Sequence, residues 1–243
     1  MVVRLHVDHA LAEGQSVPLS RDQAHYLAQV MRMTPGDDVE AFDGRAGGWL
    51  CRIATLSKRG GTLAAVQPVR PQRDPPDLWL CFAPIKKART DFIVEKATEL
   101  GAARIVPVRT RFTNSERIRR DRLQAHAVEA AEQCGGTYVP EVAELTPLDR
   151  LLSDWPADRV LHFADEGLAD DPDWAGQGAA GTLRPPPAAI LVGPEGGFAL
   201  EERDRLRAMP AAMAIGLGPR ILRADTAAVA ALTLWQAARG DWR

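Results

Sequence analysis

The chain has 243 residues, 46% of them apolar, with 30 Lys plus Arg against 32 Asp plus Glu and a formal net charge of −2. That length supports one large or two modest domains with a true core. The charge balance excludes a strongly basic tail, although one positive face remains compatible with nucleic-acid binding.

Residues 1 to about 70 read as short strands around one helix. Val2 to Val7 and Ser16 to Leu19 are strand-like, the second cut by Pro18. Gln23 to Met33 has helical spacing and ends at Pro35-Gly36-Asp37. Val39 to Phe42 leads into the tight-turn pair Asp43-Gly44, Gly48 to Leu56 is another strand, and Gly60-Gly61 turns the chain into Thr62 to Val69. Strands at such close intervals predict a small barrel. Pro71, Pro75 and Pro76 then mark a domain junction near residues 70–76.

Beyond the junction strand and helix alternate. The expected strands are Leu78 to Ala83, Arg104 to Val108, Val160 to Ala164, Ala188 to Val192 and Met213 to Leu217. The expected helices are Thr90 to Leu100, Arg120 to Cys134, Leu200 to Ala208 and Asp225 to Ala238. This alternation predicts an α/β domain with a mostly parallel sheet covered on both faces. Gly167 to Pro187, rich in Gly, Ala and Pro, reads as a loose surface excursion.

Cys51, Cys81 and Cys134 are widely spaced and form no CxxC pair, which argues against a disulfide scaffold or a zinc site and for a reducing compartment. Cys134 reads as a packing residue. No stretch reaches the roughly 18 apolar residues of a membrane span, and the first residues lack the pattern of a cleaved leader. A cytoplasmic protein with no membrane association and no metal is the expectation.

Two glycine loops carry the chemical signal. Gly193-Pro194-Glu195-Gly196-Gly197 follows a strand and precedes a helix, where backbone N–H groups are open and the helix dipole points outward. It lacks GK[ST] and GxGxxG, and Glu195 would repel a phosphate, so a polar or cationic guest fits better. Gly216-Leu217-Gly218-Pro219-Arg220 follows the next strand and leads through Arg223 into Asp225 and Thr226, which can cap the last helix. Loops at the carboxyl ends of neighbouring parallel strands lie side by side, where open α/β sheets bind ligands. Taken alone, two plain strand-to-helix turns would give the same pattern.

LVGPEGG at 191–197 and LGPRILRADTA at 217–227 resemble the signature of the RsmE-type 16S ribosomal RNA (uracil-N3)-methyltransferases of the SPOUT superfamily. DFIVEKATELG at 91–101, AEQCG at 131–135 and the amino-terminal residues His25, Val30-Met31-Arg32 and Pro35-Gly36-Asp37 extend the likeness over almost the whole chain. It implies a PUA-like β-barrel RNA-binding domain at 1–72 and a SPOUT-type α/β domain with a deep trefoil knot at 73–243. It further implies S-adenosyl-L-methionine as cofactor, a homodimer, and methylation of uridine N3 in 16S ribosomal RNA of the small subunit. Gly136 and Asp225 depart from the arginine and glutamate found in many members.

By that resemblance the cofactor loops comprise Leu191, Val192, Gly193, Pro194, Glu195, Gly196 and Gly197, then Ile215, Gly216, Leu217, Gly218, Pro219, Leu222 and Thr226. Arg223 and Arg220 are candidates to stabilise the uridine anion. Arg220 fits equally a surface arginine or a partner of Glu195, and Asp225 fits a base or a helix cap. Candidate RNA contacts are Arg4, His25, Arg32, Lys86, Lys87, Arg89 and Arg111. Lys86, Lys87 and Arg89 crowd a helix amino end, where cations are disfavoured, which gives phosphate contact as their reason. His25 and Arg32, seven apart, would share one helix face. A ribose 2′-O-methyltransferase of the same superfamily and a non-catalytic ribosome-assembly factor are the competing readings.

Overall fold

The computed structural model describes residues 2–114, 117–169 and 182–242. They form two compact units, one of Met1–Asp74 with Ala131–Val139, the other of Pro75–Ala130 with Pro140–Arg243.

The first unit holds β1 (Arg4–His6), β2 (Ser16–Leu19), α1 (Arg21–His25), β3 (Asp38–Phe42), β4 (Gly48–Ser57) and β5 (Gly60–Arg70). Its sheet has the order β1-β3-β4-β5-β2, parallel only between β1 and β3. Pro18 is tolerated because β2 is an edge strand. Leu5, Val17, Leu27, Val39, Ile53 and Leu63 form the core. Gly60 and Gly61 lie within β5, so the turn falls on Lys58 and Arg59 instead.

Ser20 starts α1 with a reciprocal cap. Its hydroxyl accepts from the Gln23 N–H at 3.1 Å, and the Gln23 amide oxygen accepts from the Ser20 N–H at 2.9 Å. The helix does not run on to Met33. It widens into a π-helical turn over Tyr26–Val30, and Arg32 lies beyond its end at φ 56°. The wider turn breaks the seven-residue stacking that would align His25 with Arg32, so these two do not share a helical face.

Arg4, a candidate RNA contact, is engaged within the amino-terminal unit. Its guanidinium donates to the carbonyls of Ala131, Glu132 and Gly136 at 2.7–3.0 Å and to Glu40 Oε1 at 3.1 Å. It thereby caps the carboxyl end of α3 (Arg120–Cys134), where a cation meets open carbonyls and the negative helix pole. Glu40 is bound also by Arg70 at 3.0 Å. Burial opposes ionisation of Glu40, but the hydrogen bonds from Arg70 and Arg4 outweigh it and hold the carboxyl below its usual range. Cys134, read as a packing residue, is exposed at the helix end.

The second unit contains β6 (Leu78–Phe82), α2 (Lys87–Glu99), β7 (Arg104–Arg109), most of α3, β8 (Glu141–Val142), β9 (Thr146–Pro147), α4 (Leu148–Ser153) and β10 (Val160–Ala164). It continues through β11 (Ala188–Val192), α5 (Leu200–Ala208), β12 (Ala212–Ile215) and α6 (Ala224–Arg239). The sheet is parallel throughout, in the order β12-β10-β11-β6-β7-β8, with β9 beside β7. Strand β11 is buried at all five positions, as expected of a central parallel strand. The chain leaves β7 on one side of β6 and returns on the other through β10, β11 and β12, creating a topological switch beside β6.

Trp235 of α6 is fully buried, and its indole N–H donates to the Arg184 carbonyl at 3.0 Å. Residues 170–181 of the expected surface excursion lie outside the described residues. Leu183, at its far end, is buried, so that part belongs to the core. His162, inside β10, is fully buried, and its Nε2 accepts from the Arg184 N–H at 3.2 Å. Burial, assisted by the Arg184 charge, lowers its pKa to about 4, which leaves it neutral. Among the described residues no helix is long and apolar enough to cross a membrane.

Candidate active site

Three segments at the carboxyl ends of adjacent strands line one cleft. Asp165 and Glu166 follow β10, Gly193, Pro194, Glu195 and Gly197 follow β11, and Leu217, Gly218 and Arg220–Arg223 follow β12. The strand order alone brings these ends together, because β10 lies between β11 and β12.

The first glycine loop turns through the Gly197 N–H, which donates to the Pro194 carbonyl at 2.9 Å. Gly197 sits at φ 66°, where a side chain is strained, and an added Cβ would lie 2.3 Å from Glu166 Oε1. A Cβ on Gly193 would press on the Phe198 ring at 3.3 Å. The Ala199 N–H donates to Glu202 Oε2 at 3.0 Å, which fixes the start of α5.

Of the residues expected in the cofactor loops, Val192, Gly193, Pro194, Glu195, Gly197, Ile215, Leu217, Gly218 and Leu222 line the cleft. Leu191, Gly196, Gly216, Pro219 and Thr226 do not line it. Leu191 is buried in its strand, and Gly196 faces the Phe112 ring.

Arg220 and Arg223 both line the cleft and are exposed. No ion pair joins Arg220 to Glu195. The last helix starts at Ala224, with Arg223 at the N-cap position and no side-chain cap. Asp225 therefore lies within the first turn and does not cap the helix; its carboxylate is 3.5 Å from Arg89 Nη1. The helix begins two residues earlier than an Asp225 cap would imply because Arg223 is the extended residue, at ψ 153°, and its carbonyl accepts from the Ala227 N–H at 2.7 Å. The Arg89–Asp225 pair gives this candidate RNA contact a partner of its own within the chain. Lys86 and Lys87 stay exposed at the start of α2, which has no acid in its first turn. Arg111 lies in a second cleft beyond Gly196.

Sequence reasoning missed Asp165, Glu166 and Arg203. Asp165 is 3% exposed and binds Arg207 at 2.6 Å, Arg203 at 3.5 Å and the Gly167 N–H at 3.0 Å. Glu166 pairs with Arg203 at 3.2 Å. Two arginines of α5 thus hold the loop after β10 in place. The carboxyl-end rule that singled out the glycine loops applies equally to Val160–Ala164 and could have found them.

The cleft mixes apolar walls, namely Val192, Phe198, Ile215 and Leu222, with carboxylates, guanidinium groups and open main chain. It can hold a flat apolar ring, ligand hydroxyls and a positive centre at once. Among the described residues no cluster of His, Cys, Asp or Glu could hold a metal ion.

Residues 72–236 match the model of an RNA methyltransferase domain, and residues 19–64 that of an RNA methyltransferase PUA domain. The chain is 30% identical to the Mycobacterium bovis ribosomal RNA small subunit methyltransferase E over 264 residues, spanning 97% of this chain and 94% of that protein. The structure of the Neisseria gonorrhoeae ribosomal RNA small subunit methyltransferase E bound to S-adenosyl methionine is similar with a TM-score of 0.84 and 26% identity, covering all of both chains. A Legionella pneumophila protein in complex with the bound cofactor SAM gives a TM-score of 0.87 at 27% identity over 99% of each chain. Matching in both domain models and along nearly its full length, the chain belongs to the RsmE-type RNA methyltransferases of the SPOUT superfamily.

Proposed function

We infer that the protein transfers a methyl group from S-adenosyl-L-methionine to N3 of a uridine in 16S ribosomal RNA of the small subunit. The observation that carries this reading is the meeting of both glycine loops and the β10 end in one cleft. The residues fit the cofactor, because side chains on Gly193 or Gly197 would run into Phe198 and Glu166, where open main chain now stands. Bound there, S-adenosylmethionine would supply an electrophilic methyl on a sulfonium. Val192, Ile215 and Leu222 offer apolar contact for its ring, and Glu166 and Glu195 offer acceptors for hydroxyl or ammonium groups.

Uridine N3 must lose its proton to become a nucleophile. Arg223 and Arg220 stand where they can stabilise negative charge developing on the uracil oxygens. The uncapped amino end of α6 adds its positive pole at the same wall. Asp225, in the first turn of that helix and paired with Arg89, is the candidate to receive the proton, although it does not itself line the cleft.

The deep trefoil knot, the homodimer and the division at residues 72 and 73 belong to the same proposal. Membership of the SPOUT superfamily supports the first. The exposed Lys86 and Lys87 support contact with RNA phosphates.

The test is calorimetry of S-adenosylmethionine binding, then label transfer to small subunits from cells lacking this gene. Nuclease digestion and mass spectrometry of the product should give N3-methyluridine. Well-folded protein that binds no cofactor would sink the proposal, and a 2′-O-methyl product would replace the base by the ribose as target. Sedimentation analysis checks the dimer.

A further inference from the structure

A second cleft lies on the other side of the first glycine loop. Arg109, Arg111, Arg117 and Arg205 line it, with Ala199 shared from the end of that loop. Phe198 faces the first cleft and Ala199 the second, so one loop forms a wall of both.

Its geometry is fixed from two sides. Thr110 and Thr113 close a tight turn after β7, the Thr110 N–H donating to Thr113 Oγ1 at 2.9 Å. The Arg111 N–H donates to Glu202 Oε1 at 2.8 Å, which ties this turn to α5. Phe112, beside the lining residues Arg111 and Thr113, lies against the glycine loop, its Cβ 3.3 Å from the place of a Gly196 side chain, and the residue is 47% exposed. An exposed aromatic residue on a turn held by main-chain hydrogen bonds can serve as a stacking platform.

The charges around it differ in availability. Glu202 is occupied by two backbone N–H groups, and Asp149 is bound by Arg205. Glu201 is an exposed carboxylate on the rim. The guanidinium groups of Arg109 and Arg111 are exposed and have no side-chain partner among the described residues.

We propose that this cleft and the Phe112 ring beside it form a subsite for the nucleotide adjoining the methylated uridine, with Phe112 stacking on its base and Arg109 and Arg111 meeting its flanking phosphates. The inference rests on the RNA methyltransferase reading above and adds to it a single-stranded RNA site separate from the methyl-transfer cleft. Stacking tolerates any base, so the subsite contributes affinity and register more than sequence selection.

The experiment measures kcat and KM for methyl transfer to small subunits from cells lacking the gene, over a range of KCl, with calorimetry of S-adenosylmethionine alongside. The double variant Arg109→Ala, Arg111→Ala should raise KM more than it lowers kcat, and should reduce the slope of log KM against log salt by about 1.4, at roughly 0.7 per single-strand phosphate contact. Phe112→Leu, which keeps apolar contact with Gly196 but loses the ring face, should raise KM about tenfold, whereas Phe112→Tyr should stay near wild type. Cofactor affinity should hold in every variant. Unchanged KM and salt slope, or a loss of cofactor affinity parallel to the rise in KM, would overturn the subsite while leaving the methyltransferase reading standing. Wild-type protein that neither binds cofactor nor transfers label would overturn both.

Discussion

Substitution of Gly197 separates two physical reasons for a glycine at that position. An alanine would suffer from φ 66°, a region that costs an ordinary residue about 1–2 kcal/mol. Its Cβ would also meet Glu166 Oε1 at 2.3 Å. That oxygen is the end of a half-exposed side chain, which can swing away by giving up its pairing with Arg203. A pair so exposed is worth at most about 1 kcal/mol, and Arg203 keeps Asp165. Backbone strain should therefore outweigh the collision. Calorimetry should show Gly197→Ala binding S-adenosylmethionine about 5- to 30-fold more weakly, if the strain falls on the binding-competent loop. Gly197→Asn should recover part of the loss, since Asn tolerates this conformation. Adding Glu166→Ala to Gly197→Ala should recover less than about 5-fold. Full recovery in that double variant, with no benefit from Asn, would refute the argument and make Glu166 the cause.

Arg4→Ala strips three carbonyls of their cap and leaves buried Glu40 with Arg70 alone, so urea unfolding should show a loss of about 3 kcal/mol or more, with cofactor binding retained. His162 has a folded-state pKa depressed to about 4 from 6.5, so the unfolded chain binds the proton first. Its contribution, on the order of 3 kcal/mol, is present above pH 6.5 and lost as pH falls towards 4, and His162→Gln should flatten that part of the stability–pH curve. A maleimide should label exposed Cys134 in native protein but spare Cys51 and Cys81, whose buried thiols are pushed up to about 11 and about 12. Labelling of all three at equal rates would contradict the packing described for β4 and β6.

Much of the second unit was legible because its strands are buried on both faces and read as short apolar runs between helical segments. The bounds of α3, β10, β11 and α5 agree with the expected ones residue for residue. The segment 141–153 went unread because β8 and β9 have only two residues each, too short for any periodicity. The π-helical turn after His25 was invisible because its sequence keeps ordinary helical spacing. The helix-closing contacts of Arg4 are not legible in the sequence because its carbonyl partners lie 127 to 132 residues away. For the site, the glycine loops announced themselves through Gly and Pro. Asp165 and Glu166 carry no such mark, and their importance comes only from the strand order that sets β10 beside β11.

The run Ala131–Val139 is counted with the amino-terminal unit although the residues on both sides of it belong to the other. A gene divided at residue 74 would therefore part Arg4 from the helix end it closes, and strand the Thr137 hydroxyl that accepts from the Arg73 N–H. Neither fragment would carry a finished amino-terminal body. That body cannot travel through evolution as a detachable cassette, and a transplant into another enzyme would need the nine-residue return segment grafted along with it.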